Sequence, residues 1–545
     1  MRRYGIFLAY GPAVDLKKEG LGRFLLAFLK AAAAREDVRF AIACPEWSRE
    51  SLLDLLEDEG VSRAAFDIIS TGSLPLILRI VLAHRSRKRI AREPSRLRRL
   101  LAHARVRIVR HRQQLEQRIV TARSVWTWLA VAFYALLVSI VLFPFAAALW
   151  LLRAIYRACL AVVRGFTRLR WLGSVLNQLM TSISMPGEEA LVMRLYRIME
   201  ADEAARLADV INTQEDIQAW YCPTAFWPAF NRVAKPGLMC VPDVVTAEFP
   251  VGFAVIDREG MRSVEIVESA IAGGENFVTY SSQVKWRTLV DRYSVPPEAV
   301  DVVPHACWDL SRLIRVTGFA DDETATRRYS EARMQEALNR SGGERYARDF
   351  ASDALCYFFY PSQLRPNKNV VTLLRAYEHL LRKRFIQRKL ILTGDPTRLP
   401  SVRDFIQERR LERDVLCLHA LTAVELAACF RLADLAVNPS LSEGGCPFTF
   451  TEALSVGTPA VMARIPVTEE VITDPELQHM MLFDPYDWED AAAKMEWALE
   501  NRDLLLSAQK TFYSRLAERT WKDVVDDHVA ILDRLAGSAA RAAKT

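Results

Sequence analysis

Short apolar runs, each closed by glycine, proline or polar residues and followed by a helical pattern, recur along most of this chain. Tyr4 to Tyr10 stops at Gly11-Pro12, as a buried strand does. A polar loop and a helical pattern from Arg23 to Ala34 follow, then strand candidates at Val38 to Cys44 and Ala65 to Ser70. The alternation resumes with strand candidates at Ala208 to Thr213, Trp220 to Cys222, Leu238 to Val241, Phe277 to Tyr280 and Val300 to Val303. Beyond a polar helical stretch from Trp308 to Phe350, a second series runs through Cys356 to Tyr360, Leu390 to Leu392, Val415 to Leu418, Leu435 to Asn438, Ala460 to Ala463 and Met481 to Phe483. Strand, helix and strand at this spacing predict parallel sheets covered by helices: an α/β protein of two such domains.

The pattern breaks once, between about 75 and 200. Arg85 to Arg123 carries 14 Lys/Arg against Glu93 and Glu116, and Arg153 to Arg170 carries five Arg and no acid. The whole chain is only +6, so the rest of it is acidic. Within the first basic stretch, Leu97, Leu101, Ala104, Ile108, Leu115 and Ile119 fall near helical spacing, which predicts a basic amphipathic helix or a solvated helix of a soluble insertion. Between the two lies Val125 to Leu152, 28 residues without a charge. A straight helix of that length spans about 42 Å, more than a ~30 Å hydrocarbon core requires. Pro144 interrupts it, and basic residues flank both sides, whereas a single crossing enriches Lys/Arg on one side. A re-entrant helix, two tilted crossings or a buried core hairpin fits this pattern. An apolar run inside a basic region favours an anionic membrane surface, contacted through residues 85–170. Nucleic acid is not expected as a partner, because aromatics are not interleaved with these arginines as base stacking requires.

Nine scattered cysteines form no CxxC pair or Cys/His cluster, so neither a disulfide framework nor a zinc site is suggested, and a reducing compartment fits best. The N-terminal residues read as a first strand rather than a secretory signal.

The stretch Asn438 to Pro459, NPSLSEGGCPFTFTEALSVGTP, carries the most chemistry. A strand runs into a glycine-containing loop, Gly444-Gly445, and a helix is expected to begin near Thr449. Free N–H groups at a helix start favour an anion such as a diphosphate. Glu443 can accept hydrogen bonds from sugar hydroxyls, and Glu452 from both hydroxyls of a ribose. About 80 residues earlier, Arg365 and Lys368 follow the strand candidate at Cys356 to Tyr360, where two cations can stabilise a departing nucleoside diphosphate.

These two motifs together resemble the retaining GT-B glycosyltransferases of family four (group 1). In that family two glutamates bracket the nucleotide-sugar loop with seven residues between them; here eight separate Glu443 from Glu452. FYPSQLRPNKN at 359–369 resembles the family's strand-loop that brings Arg and Lys to the diphosphate. Gly20-Leu21-Gly22 resembles the glycine loop that closes over the phosphates from the first domain, and residues 277–305 resemble that domain's end. Cys240-Val241-Pro242-Asp243 aligns where many relatives place a His beside Asp; here Pro242 stands in its place. Asp243 then contacts the donor sugar or acceptor alone, or caps a strand end. His305 reads as hinge packing rather than catalysis, and Leu418-His419 as the place to look for base recognition.

The resemblance implies two Rossmann-like domains facing across a cleft, with a helical membrane-associated insertion in the first. Its expected organisation is a first domain at 1–74 and 201–306, the insertion at 75–200, a connector at 307–352, a nucleotide-sugar domain at 353–515 and a C-terminal helix and tail at 516–545. Expected catalytic residues are Glu443, Arg365, Lys368 and Asp243. Expected donor-binding residues are Glu452, Gly20, Gly22, Gly444, Gly445, Phe448, Thr449 and Leu418. The implied activity is metal-independent, cofactor-free transfer of a hexosyl group from a GDP- or UDP-linked donor. The insertion suggests a lipid-linked glycan acceptor at the cytoplasmic face of the inner membrane, in surface polysaccharide assembly. The competing readings are a non-catalytic membrane scaffold and a soluble transferase whose insertion is an oligomer interface.

Overall fold

The computed structural model describes residues 1–12, 14, 20–75, 78, 126, 133–134, 191–256, 259–350 and 355–542. They divide between two compact units, 1–72 with 201–545, and 73–200.

The larger unit holds two wholly parallel sheets. The first contains β1 (Arg2–Phe7), β2 (Val38–Ala43), β3 (Asp67–Ile69), β4 (Ala219–Cys222), β5 (Gly237–Cys240), β6 (Phe277–Thr279) and β7 (Val300–Val302), in the order β3-β2-β1-β4-β5-β6-β7. The second contains β8 (Tyr357–Tyr360), β9 (Lys389–Thr393), β10 (Val415–Leu418), β11 (Leu435–Asn438), β12 (Ala460–Ala463) and β13 (Leu482–Phe483), in the order β10-β9-β8-β11-β12-β13. In each sheet the order reverses once, between β1 and β4 and between β8 and β11. Crevices outside the carboxyl ends of strands at such a switch are where doubly wound sheets bind ligands.

Apart from the edge strands β3 and β7, the strands are largely buried on both faces, which is why they read as continuous apolar runs. On β1, Tyr4 and Ile6 enter the core shared with helices Gly20–Ala33 and Trp521–Ala542, while Phe7 joins Leu207 and Ile211 on the opposite face. The Ala208–Thr213 run, read above as a strand, is instead the last turn of helix Leu191–Asn212. Leu207, Ala208 and Ile211 are buried at helical spacing and lie on its sheet-facing side. The connector comprises helices Ser311–Ile314 and Asp322–Phe350.

After helix Arg502–Ala517 in the second domain, the chain returns to the first. Helix Trp521–Ala542 lays Trp521 against Phe24, and His528 against Phe28 and Tyr221 at ring separations of 5.2 and 4.9 Å. Asp526 pairs with Arg35, Asp533 with Arg2 and Tyr4, and Arg534 with Asp301. Arg519, just before this helix, donates through Nε to the Pro304 carbonyl at 2.7 Å.

Of the smaller unit, residues 73–75, 78, 126, 133–134 and 191–200 are described; Trp126, Phe133 and Tyr134 are exposed. The remainder of the amphipathic and uncharged stretches, and hence the membrane contact assigned to 85–170, lies outside the described residues. Among the described residues no helix is long and apolar enough to cross a membrane.

Candidate active site

Both second-domain motifs emerge at the β8/β11 switch. β8 ends at Tyr360, and the loop after it carries Arg365 into a short 3-10 turn, Pro366–Lys368. Asn369 then adopts φ 51°, a left-handed conformation that asparagine tolerates. Its side chain fixes the turn by donating to the Pro485 carbonyl and accepting from Thr372 Oγ1, each at 2.7 Å. β11 ends at Asn438, whose side chain accepts from the Ser440 N–H at 3.1 Å. The Leu441 N–H donates to the Asn367 carbonyl at 2.8 Å and stitches the two loops together.

This places Lys368 Nζ 2.7 Å from Glu443 Oε1 and 3.4 Å from Ser440 Oγ. Only about a fifth of either the Lys368 or the Glu443 side chain is exposed. Arg365 is more open and donates to Gln363 Oε1 at 2.6 Å. An ammonium has three N–H donors, so Lys368 can hold Glu443 and still address an anion in the cleft.

The glycines earn their place through contact with the first domain. A Cβ on Gly444 would lie 1.9 Å from the Pro242 carbonyl oxygen, and one on Gly445 2.8 Å from Tyr280 Cβ. Ser281 Oγ donates to the Gly444 carbonyl at 3.0 Å, and Ser442 Oγ to Glu248 Oε2 at 2.6 Å. The loop is therefore pressed against the carboxyl ends of β5 and β6, and Asp243 faces the same cluster. Burial raises the Asp243 carboxyl above its ordinary value, and Glu443 and Glu248 add to this while Lys368 and Arg365 oppose it. No side chain caps the short helix Val245–Glu248 that follows, so Asp243 does not serve as its cap.

Helix Phe448–Ser455 begins after Pro447 with no side-chain cap, and the start of a helix favours an anion. Glu452, one turn in, is 3% exposed. The rings of Phe24, Tyr280, His305 and Phe448 form a continuous row, with successive centroids 5.1, 5.6 and 4.4 Å apart. It joins helix Gly20–Ala33, which opens with Gly20 and Gly22, to the start of the loop helix. His305 thus packs where the domains meet, its Nδ1 facing the Ala306 carbonyl at 3.1 Å. Burial lowers its pKa.

Leu418 lies apart, at the end of edge strand β10, with its side chain buried and its carbonyl accepting from the Gly394 N–H at 2.9 Å. Tyr280, Ser281, Glu248 and Ser442 are participants that sequence reasoning missed. Their only signal was position after strands β5, β6 and β11; the pairing itself is long-range. Among the described residues no group of three or more His, Cys, Asp or Glu is arranged to hold a metal.

Residues 351–515 match the family described as glycosyl transferases group 1. No curated protein matches the chain. Among solved structures, the N-terminal domain of Candida albicans trehalose-6-phosphate phosphatase superposes with a TM-score of 0.55 at 11% identity, covering 98% of this chain and 97% of that one. Anabaena Alr3699/HepE in complex with UDP and glucose gives 0.51 at 12% identity, covering 97% and 98%. At such identities these likenesses speak to the fold.

Proposed function

We propose that this chain, whose residues 351–515 match the glycosyl transferases group 1, transfers a sugar from a nucleotide-sugar to a lipid-linked glycan at the cytoplasmic face of a membrane, in surface polysaccharide assembly. The observation that carries the donor half of this reading is the Lys368–Glu443 pair at the β8/β11 switch, with Gly444 closed against Pro242-Asp243. Arg365 and Lys368 take the donor diphosphate together with the start of helix Phe448–Ser455. Glu452 takes the ribose, and Glu443 and Asp243 face the sugar. A diphosphate gathers negative charge as its bond to the sugar breaks, and the two cations oppose that charge in a partly dehydrated cleft. The acceptor oxygen attacks from the face the diphosphate leaves, so the anomeric configuration is retained. UDP is the first donor base to test, since the Anabaena protein of the same fold holds UDP and glucose.

The acceptor half rests on the 28 uncharged residues from Val125 to Leu152 and the basic stretches beside them. A membrane surface carrying anionic lipid attracts such segments by about 1 kcal/mol per cation. The test is flotation with anionic vesicles and transfer of labelled sugar to solvent-extractable lipid, each with and without residues 85–170. The proposal expects both to be lost on deletion. Undiminished flotation and transfer to lipid by the deletion variant would contradict it.

A further inference from the structure

Beside the carboxyl end of the loop helix lies a cavity of about 690 Å³ bounded by the connector and the second domain. Its charged lining consists of Arg315, Arg431, Arg502 and Lys510 against Asp322 and Glu323. Asp322 is already engaged, accepting from the Phe319 N–H at 2.8 Å. The carboxyl end of the loop helix, Leu454 to Gly457, forms another part of the wall.

The arginines are placed in an unusual way. Arg431, in the last turn of helix Ala423–Leu432, is largely buried, its side chain 21% exposed. Its ion-pair partner is Glu323, whose side chain is 71% exposed. An exposed carboxylate gives little back to a buried guanidinium, because water competes for it. Arg502 adds repulsion: burial first, and then the charge of Arg502, lower the Arg431 pKa. Arg502 is itself the first residue of helix Arg502–Ala517, at the positive end of a helix that no side chain caps. Lys510, two turns along the same helix, is exposed and faces the same space. Two guanidiniums near a helix start, Arg431 paired with the exposed Glu323 and Arg502 donating through Nε to the Asp434 carbonyl at 3.2 Å with Asp503 at 4.0 Å, are complementary to a dianion.

We propose that this cavity is a binding site for a phosphate group, separate from the donor cleft. The ligand displaces Glu323, accepts hydrogen bonds from Arg431 and Arg502, and is completed at the rim by Arg315 and Lys510. The cavity exceeds what a lone phosphate fills and suits a small phosphomonoester.

The test is thermal unfolding of the full chain at constant ionic strength, titrating inorganic phosphate, glycerol 3-phosphate, and glycerol as the neutral control against sodium chloride. Phosphate or its ester is expected to raise Tm in a saturable manner. The apparent Kd should weaken at least tenfold in Arg431→Gln/Arg502→Gln and at least threefold in Arg315→Gln/Lys510→Gln. It should stay within twofold in Lys368→Ala, where the donor cleft is impaired. A stronger response to the ester identifies a phosphomonoester as the ligand; an equal one identifies the free anion. No rise beyond that in chloride overturns the proposal. So does a rise that survives the Arg431→Gln/Arg502→Gln variant, or one that disappears in Lys368→Ala. If that double variant does not fold, an unchanged response in Arg315→Gln/Lys510→Gln overturns it equally.

Discussion

Lys368 and Glu443 show why the candidate site was only partly legible in the residues that build it. The cations and Glu443 stood out in the chain because each follows a strand and precedes a helix, and Glu452 because it lies one turn into that helix. That Glu443 would accept directly from Lys368 at 2.7 Å could not be read from positions 75 residues apart. The glycines have a similar history. Gly444 invites a phosphate-loop reading, yet its missing Cβ is required by the Pro242 carbonyl of the other domain. Gly444→Ala should therefore displace the loop by at least part of an ångström. Since misplacement of about 1 Å can cost on the order of 100-fold in rate, transfer activity should fall by about that factor while far-UV circular dichroism stays unchanged. Full activity in this variant would mean that the loop does not work from the position described.

His528 gives a second expectation at this scale. It is wholly buried, its Nδ1 2.7 Å from the Val524 carbonyl and its ring between Phe28 and Tyr221, and burial pushes its pKa from 6.5 down to about 4. The unfolded chain therefore binds the extra proton first as pH falls. Stability is retained above about 6.5 and lost between there and about 4, by about 3 kcal/mol in total. His528→Phe should flatten this part of the curve of stability against pH, measured by denaturant unfolding. An unaltered slope between pH 6.5 and 4.5 would assign the acid sensitivity elsewhere.

At the scale of elements, the strands of both sheets were largely evident because parallel strands buried on two faces leave uninterrupted apolar runs. Ala208 to Thr213 misled for the same reason: a short apolar run at a helix end looks like a strand when read without the preceding turns. The segment after β6 was less legible still. Val284–Val290 forms a π-helix, and Glu470 from the second domain accepts the Ser282 and Gln283 N–H groups just before it, at 2.8 and 3.0 Å. Only the folded molecule brings that carboxylate there. Removing it in Glu470→Ala leaves two amides without their acceptor, and a charged acceptor contributes about 1.5 kcal/mol or more. Those amides should then exchange hydrogen about tenfold faster, with β1 and β8 unaffected. Equal protection in both proteins would show that the contact holds nothing in place.

For the whole molecule, the two domains are joined by contacts beyond the Glu470 and Ser442 hydrogen bonds. Helix Trp521–Ala542 carries the chain's end back onto the first domain, the aromatic row from Phe24 to Phe448 spans the junction, and the Gly444-Gly445 loop rests on β5 and β6. The two-domain plan was legible because it is written in repeated local patterns. The return of the last helix was not, since nothing in its own amphipathic pattern names the sheet that it covers. The account's central claim is that a nucleotide-sugar binds where the loops after β8 and β11 meet beneath the first domain. Calorimetric titration of UDP, GDP and ADP into the full chain, beside Lys368→Ala and Glu452→Ala, tests it most directly. The account predicts that one nucleotide binds and that each substitution weakens it at least tenfold. Binding of equal strength in all three proteins, or of no nucleotide by the folded wild type, would contradict it.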